Sequence, residues 1–222
     1  MKGLFITGTD TDVGKTYIAC LIAAELKSKG INVIPKKPVE SGCELINGNL
    51  YPNDAALLLK ASQSDLSLDN VCPFRFEAAI SPARAAKINN QKIQLNELIS
   101  ICTADNNSEN NFIITEGAGG FYSPLCEDGL NADLAEKLQL PILLVANDKL
   151  GCINHILLSL EAISARQLSV AAIVLNQCDA HTSHNETNNL EDLLEISNHY
   201  VTTIKHNATS IPEELISRLN NV

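Results

Sequence analysis

Residues 6–16 read ITGTDTDVGKT, and the fold prediction starts from this stretch. A short apolar strand leads into Gly8, a polar turn follows, and the triplet GKT at 14–16 opens a run of helical periodicity. The pattern GxxxxGK[ST] of phosphate-binding loops would place its first glycine at position 9, but this chain has Thr9 there and its glycine one residue earlier. A turn of this kind between a strand and a helix predicts binding of a nucleoside triphosphate.

The chemistry of this loop follows from its backbone and two side chains. Backbone N–H groups at 11–16 can surround an anion, and the start of the following helix adds positive potential. Lys15 would reach the β- and γ-phosphates, and Thr16 would offer its hydroxyl to Mg²⁺. The alternative is an ordinary strand-turn-helix junction that contains the triplet by chance.

The composition indicates a single compact domain over residues 1–222. Of these residues 45% are hydrophobic and 19% charged, which suits one full core. The formal net charge of −10 disfavours nucleic acid and anionic membranes as partners, since both require a basic surface. No apolar run approaches the ~20 residues of a membrane span, and the first residues lack a secretion signal. The seven scattered cysteines, without a CxxC pair, predict reduced thiols in a cytoplasmic protein.

Strands and helices alternate along the chain. Apolar runs typical of buried strands lie at 3–6, 112–114, 141–146 and 170–175, with a weaker one at 32–39. Helical periodicity covers 15–29, 53–62, 95–104, 131–139, 152–167 and 186–197. Gly30 is placed to end the first helix, and Asn131 or Asp133 to cap a later one. This order predicts an α/β fold of the P-loop NTPase type, with a mostly parallel sheet, helices on both faces and ligands at the carboxyl ends of the strands.

Charged residues follow two of the predicted strands. In the stretch KPVESG at 37–42, Lys37 is either a solvated lysine or a clamp on a transferred phosphoryl group, and its position favours the clamp. Glu116 ends another buried strand and precedes glycines, as the acid of a Walker B motif does, which predicts a role in binding Mg²⁺. Asp54 begins a helix, where an acid that stabilises the helix start and a metal ligand are equally consistent.

The acidity of the loop separates it from one related class of protein. Partitioning ATPases carry the loop KGGxGKT, whose first lysine reaches the nucleotide of a partner subunit, and that position is Asp10 here. Together with Asp12, Asp10 makes the loop mouth less cationic than in most such loops. We expect Lys36 and Lys37 to offset this charge, together with a metal ion or a neutralising substrate.

Four motifs in matching order resemble those of the dethiobiotin synthetase family. They are GTDTDVGKT, KPVESG, EGAGG and KLGCINH at 149–155, and the resemblance extends to about Asn176. It implies an ATP-dependent ligase that closes a ureido ring. In the implied reaction 7,8-diaminononanoate takes up CO₂ as a carbamate, ATP phosphorylates the carbamate, and the second amine displaces phosphate to give dethiobiotin. Mg²⁺ is the implied cofactor.

The resemblance also implies roles for individual residues. Lys15 and Lys37 would be catalytic, Ser41 would contact the diamine or the carbamate, and Asn176 would read adenine beside Gln177. The implied nucleotide-binding residues are Asp12, Val13, Gly14, Lys15, Thr16, Tyr17, Asp54, Glu116, Gly117, Ala118, Gly119, Asn176 and Gln177. The implied Mg²⁺ ligands are Thr16, Asp54 and Glu116.

The stretch LGCIN at 150–154 opens a helix with an apolar face. In the family that the chain resembles, one subunit of a two-fold dimer offers this helix start to the substrate carboxylate bound by the other. The resemblance therefore implies a homodimer with Gly151, Cys152 and Asn154 at the substrate. The alternative is a core helix within a monomer.

The chain departs from the family pattern in two places and leaves other classes open. Ser-Pro-Ala-Arg at 81–84 stands where Ser-Pro-His is usual, and Phe-Tyr at 121–122 replaces a pair more often begun by tryptophan. The histidines at 181 and 184 are either two metal ligands or part of a polar loop. A partition-type ATPase switch is one alternative function. A synthetase domain of an amidoligase is another, but 222 residues leave no room for the ammonia-supplying domain it would need.

Overall fold

The elements alternate as the sequence predicts. The computed structural model describes residues 1–104, 108, 110–179 and 188–220. Its helices are α1 Lys15–Ser28, α2 Asn53–Ser62, α3 Leu68–Val71, α4 Pro82–Ile88, α5 Leu95–Thr103, α6 Asn131–Leu138, α7 Cys152–Ala165, α8 Asn189–Ile196 and α9 Glu213–Asn220. Its strands are β1 Gly3–Gly8, β2 Asn32–Lys36, β3 Val39–Ser41, β4 Glu44–Ile46, β5 Asn49–Tyr51, β6 Phe74–Phe76, β7 Asn111–Gly120, β8 Pro124–Cys126, β9 Gly129–Leu130, β10 Ile142–Asn147, β11 Val170–Asn176 and β12 Val201–Ile204.

A parallel sheet forms the centre of the molecule. Within the described ranges it has six strands in the order β12-β11-β10-β1-β7-β2, and each neighbouring pair is parallel. Strand β1 lies inside the sheet between β10 and β7, so the loop that follows it opens at the carboxyl edge. The predicted α/β fold is confirmed.

The side chains of β1 alternate between two cores. Leu4 and Ile6 belong to the same core cluster as Ile22 of α1, and Phe5 belongs to the other cluster, which contains Ile156 of α7. All of these side chains are fully buried. Because both faces of the strand are covered by helices, its sequence is continuously apolar.

The strand predicted over 32–39 is confirmed only as far as Lys36. The chain leaves the edge of the sheet after β2, and Val39–Ser41 pairs instead with β6. Pro35 is tolerated because β2 is an edge strand, and Pro38 carries no N–H for a ladder. This break turns Lys37 away from the sheet, where its backbone N–H donates to the carbonyl of Val71 at 3.0 Å.

The predicted helices agree with the structure to within about three residues. Asp133 caps α6 by accepting a hydrogen bond from the backbone N–H of Leu130 at 2.7 Å. It is one of the two residues that were predicted to cap this helix. None of the helices in the described ranges is long and apolar enough to cross a membrane. All seven cysteines are free thiols, and burial raises the pKa of Cys20 and Cys102 to about 12.

Candidate active site

The loop between β1 and α1 folds as an anion-binding turn. Gly14 lies in the left-handed region at φ 90°, directly before the first residue of α1. A β-carbon there would lie 2.1 Å from the side-chain nitrogen of Asn176, so space as well as conformation requires glycine. A β-carbon on Gly8 would lie 2.7 Å from both the carbonyl oxygen of Asp10 and the side chain of Val13. Close packing of the loop thus explains the glycine at position 8.

The ammonium group of Lys15 folds back over this loop. Its Nζ donates to the backbone carbonyl of Asp10 at 3.0 Å. Burial lowers the pKa of Lys15, although the carboxylate of Glu116 acts in the opposite direction. A phosphate oxygen would replace the neutral carbonyl with a charged acceptor, which makes a stronger hydrogen bond.

Four side chains from separate parts of the chain meet beside the loop. The Nζ of Lys37 lies 2.6 Å from Oε1 of Glu116 and 3.1 Å from Oδ2 of Asp54. The hydroxyl of Thr16 donates to the same Oε1 at 2.7 Å. Lys37 and Glu116 are buried, with 3% and 1% of their surface exposed. Residues far apart in sequence are therefore joined in one network at the carboxyl edge of the sheet.

Opposite charges in this network stabilise one another. Burial alone would lower the pKa of Lys37, but the negative charges of Glu116, Asp54 and Glu40 outweigh it and hold that pKa above its usual value. Burial would raise the pKa of Asp54, and the ammonium group of Lys37 outweighs this effect, so that pKa is lowered. Lys37 is therefore a cation and Asp54 an anion at neutral pH.

The donor set of this network fits a magnesium ion. Oε2 of Glu116 is buried and has no hydrogen-bond partner among the described residues. Thr16, Asp54 and Glu116 offer oxygen atoms, which Mg²⁺ prefers while it keeps water or phosphate oxygens in its other positions. The described part of the chain holds no group of three or more His, Cys, Asp or Glu arranged for a metal. The protein thus offers two carboxylates and a hydroxyl, a set suited to a nucleotide-bound metal.

Glu40 holds the start of α2. Its Oε1 accepts from the backbone N–H of Asp54 at 3.1 Å, and its Oε2 accepts from that of Ala55 at 3.0 Å. The residue before the helix is Pro52, which has no capping side chain, so a carboxylate from β3 takes this role. Glu40 has no predicted function in the sequence, because nothing in one sequence joins it to that helix.

A cavity of about 400 Å³ opens beside the network. It collects four carboxylates and two lysines, so a polyanionic ligand would need an additional cation there. Lys37 lines it, whereas Lys36 does not and places its Nζ 3.4 Å from the carbonyl of Asn70. The predicted site residues that line the cavity are Asp12, Gly14, Lys15, Thr16, Lys37, Ser41, Asp54, Glu116, Ala118 and Gly119.

The glycine-rich end of β7 is clamped by a buried asparagine. The amide nitrogen of Asn131 donates to the carbonyls of Ala118 at 2.5 Å and Gly120 at 3.0 Å, and its oxygen accepts from the N–H of Ala118 at 3.1 Å. A β-carbon on Gly117 would lie 2.8 Å from that oxygen. Asn131, expected as a possible helix cap, instead fixes the wall of the cavity, and Gly117 provides room for it.

Asn176 and Gln177 lie behind the phosphate loop and do not line the cavity. The amide nitrogen of Asn176 donates to the carbonyl of Val13 at 3.0 Å, and its Oδ1 is buried without a partner among the described residues. The amide of Gln177 donates to Asp148 at 3.2 Å. Asn176 thus supports the loop from below, and its second polar atom is buried there.

The start of α7 differs from the cavity in its exposure. Gly151 is left-handed at φ 88°, and a β-carbon there would meet nothing within 4 Å. Asn154 is exposed, Cys152 is buried, and the neighbouring Leu150 and Leu158 are 83% and 58% exposed. The predicted substrate residues of this stretch are therefore not brought into the 400 Å³ cavity of the same chain.

Other predicted positions lie elsewhere. The hydroxyl of Tyr17 donates to the carbonyl of Ala208, which ties α1 to the loop after β12. Ala83 and Arg84 line a separate cavity of about 640 Å³. The histidines at 181 and 184 lie outside the described residues.

Sequence comparisons find relatives that cover most of the chain. A family model described as an AAA domain matches residues 2–212. An ATP-dependent dethiobiotin synthetase from Ruthia magnifica subsp. Calyptogena magnifica is 41% identical over 177 residues, which cover 80% of each chain. One from Rhodopirellula baltica is 36% identical over 199 residues, or 85% of this chain and 78% of the relative.

Solved structures with the same fold are more distant in sequence. The MinC:MinD cell division protein complex of Aquifex aeolicus matches with a TM-score of 0.55 and 15% identity, over 100% of this chain and 86% of that chain. The septum site-determining protein MinD with Mg-ADP from Pyrococcus horikoshii OT3 gives 0.53 and 15%, over 98% and 86%. At such identity the likeness concerns the fold alone.

Proposed function

The chain belongs to the ATP-dependent dethiobiotin synthetase family, and on that premise we propose that it forms dethiobiotin from 7,8-diaminononanoate, CO₂ and ATP. Its relatives are named as ATP-dependent synthetases, so the chain is an ATP-dependent ligase. The observation that carries the proposal is the buried ammonium group of Lys37, which lies beside the phosphate loop in a cavity that Ser41 also lines.

The proposed reaction has three steps. One amine nitrogen of the diamine attacks CO₂ and loses a proton, which gives a carbamate. A carbamate oxygen attacks the γ-phosphorus of ATP, and ADP leaves. The second amine attacks the carbonyl carbon of this mixed anhydride, loses a proton and expels phosphate, which closes the ring.

Two lysines and a serine carry the chemistry in this proposal. Lys15 would exchange the carbonyl of Asp10 for a phosphate oxygen and neutralise charge on the phosphoryl group. Lys37 would stabilise charge shared between the carbamate and that group, since a fixed buried cation needs no reorganisation during transfer. Ser41 lines the same cavity and is placed to contact the diamine or its carbamate. Backbone groups at 12–16 would surround the phosphates.

Thr16, Asp54 and Glu116 would hold Mg²⁺, which supplies positive charge to the phosphates of ATP when bound. The orphaned oxygen of Glu116 and the surplus of carboxylates in the cavity support this assignment. Lys37 occupies the space between the two acids, so it would yield part of its contact with them when the ion enters. Gly117, Ala118 and Gly119 would bring backbone close to the bound phosphate and substrate.

Asn176 would read adenine through its unpartnered Oδ1, which can accept from an amino group. Gln177 and Tyr17 complete the proposed nucleotide site. In this structure the side chain of Gln177 is hydrogen-bonded to Asp148, and that of Tyr17 to the carbonyl of Ala208. ATP is the proposed nucleotide because the relatives are named for it.

A two-fold dimer completes the proposal. The substrate carboxylate would bind at the start of α7 in the partner subunit, at Gly151, Cys152 and Asn154. Two features support it, namely the open space at Gly151 and the exposed apolar side chains of Leu150 and Leu158. The proposed dimer would cover these exposed apolar side chains. The cytoplasmic location and the dimer stay predictions.

Phosphate release from ATP tests the proposed reaction. We expect turnover to be low with ATP and Mg²⁺ alone and to rise only when diaminononanoate and bicarbonate are both added, because the phosphoryl acceptor is the carbamate. Mass spectrometry of the product should then find dethiobiotin. A rate of ATP hydrolysis that does not change when the diamine is added would contradict the proposal and favour a nucleotide switch.

A further inference from the structure

The two acids of the proposed metal site are held in place by different means. Glu116 belongs to the long central strand β7, and its side chain is fully buried. Asp54 stands in the first turn of α2, and 45% of its side chain is exposed. Its location therefore depends on how firmly the first turn of that helix is fixed.

Glu40 fixes this turn from outside the helix. Its two carboxylate oxygens accept from the N–H groups of Asp54 and Ala55, the second and third residues of α2. These are the N–H groups that an ordinary capping side chain would satisfy. Glu40 is itself 5% exposed and anchored in β3, so its carboxylate is a rigid support.

We infer that Glu40 is a positioning residue, which places the carboxylate of Asp54 for metal binding by capping α2. The inference rests on the proposed role of Asp54 as a Mg²⁺ ligand. Without Glu40 the N–H groups of Asp54 and Ala55 lose their acceptors, and the turn that carries Asp54 frays. Glu116 stays where β7 holds it, so one ligand is lost and the other retained.

The test measures binding of ADP by titration calorimetry with and without Mg²⁺. The ratio of the two dissociation constants reports the contribution of the metal and does not depend on the diamine reaction. For Glu40→Ala we expect this ratio to fall about tenfold, with metal-free ADP binding within about twofold of the wild type. Glu97→Ala is the matched control, because Glu97 caps α5 by accepting from the N–H of Gln94 at 2.8 Å, away from the site.

Two further variants separate positioning from direct attraction. Pro52→Ser gives α2 a local capping side chain, so Glu40→Ala/Pro52→Ser should recover most of the lost ratio. In an Asp54→Ala background, removal of Glu40 should change the ratio by less than about twofold, since the positioned ligand is already absent.

Each outcome decides the inference. Three results would overturn it. The ratio for Glu40→Ala could equal that of the wild type, or Pro52→Ser could fail to restore the lost ratio. Removal of Glu40 could also lower the ratio as much in the Asp54→Ala background as in the wild type. Glu40→Gln keeps one acceptor and covers the case in which the alanine variant does not fold. We expect a loss of about threefold there, and a wild-type ratio would also overturn the inference. Normal binding of Mg²⁺ and ADP without dethiobiotin formation would contradict the proposed reaction alone.

Discussion

Helices α1 and α7 both begin behind a glycine in the left-handed conformation, at φ 90° for Gly14 and 88° for Gly151. Their surroundings are opposite. A β-carbon on Gly14 would lie 2.1 Å from the amide nitrogen of Asn176, whereas one on Gly151 would meet nothing within 4 Å. The first helix start is completed by its own chain. The second is left open by the described part of its own chain, as the proposed role toward a partner subunit requires.

The largest effect is expected at the closed helix start. Gly14→Ala adds backbone strain and a clash with Asn176, so the phosphate loop must move. We expect kcat/KM to fall by roughly 10³-fold or more, through costs of about 1–3 kcal/mol for strain and more for the clash. Steady-state kinetics measure this, and circular dichroism checks that the fold persists. Activity within tenfold of the wild type would show that the loop is not closed as described.

Lys37 should be the next most sensitive position on the closed side. Lys37→Ala removes the buried cation between Asp54 and Glu116, and we expect kcat to fall on the order of 10²-fold or more while ATP binding changes less. Lys60→Ala removes an exposed lysine from α2 and serves as the control for net charge. A variant with normal kcat and weaker ATP binding would assign Lys37 to ground-state binding.

Mixing two defective chains tests whether the open helix start serves a neighbouring subunit. Lys37→Ala and Gly151→Asp should each be inactive alone, the second because a carboxylate repels the substrate carboxylate. In a shared site, a mixed dimer pairs an intact Lys37 with an intact helix start once per dimer. Random subunit exchange should then restore about a quarter of wild-type activity. No recovery after exchange, confirmed by native mass spectrometry, would contradict the shared site.

The smallest effect is expected at the open helix start itself. Gly151→Ala introduces only conformational strain, since the added carbon has free space. We expect the free energy of unfolding to fall by about 1 kcal/mol, as measured by urea denaturation. Gly30→Ala is the matched control, because Gly30 is also left-handed at φ 79° with open space around it. If Gly151→Ala lowers the free energy of unfolding as much as Gly14→Ala does, the contrast between the two helix starts disappears.

The fold was readable from the sequence because its strongest signals are local. The apolar run of β1 and the triplet that follows it occur together in one short stretch, and buried strands such as 141–146 need no distant partner to be recognised. Lys37 and Glu116 were predicted from their positions at strand ends, which a parallel sheet brings to a common edge.

The features that were missed depend on distant partners. Glu40 acquires its role only when β3 reaches the start of α2, and Asn131 only when α6 packs under β7. The end of β2 was misplaced because Val39 was counted with the strand, although Lys36, Lys37 and Pro38 interrupt the apolar run before it. The hairpin of β4 and β5 was missed because its strands, Glu44–Ile46 and Asn49–Tyr51, are mostly exposed and carry no buried face.

Glu40 fixes the start of α2, and this contact bears on how long the chain between Glu40 and that helix can be. The hairpin of β4 and β5 lies in that interval, and its turn at Asn47 and Gly48 is exposed and left-handed. Glu40 accepts directly from the backbone N–H of Asp54 at the base of this hairpin. The hairpin itself therefore does not determine the geometry of the site. Residues can therefore be added at the Asn47–Gly48 turn, for example as a short epitope for purification, while the carboxylate of Asp54 stays in place.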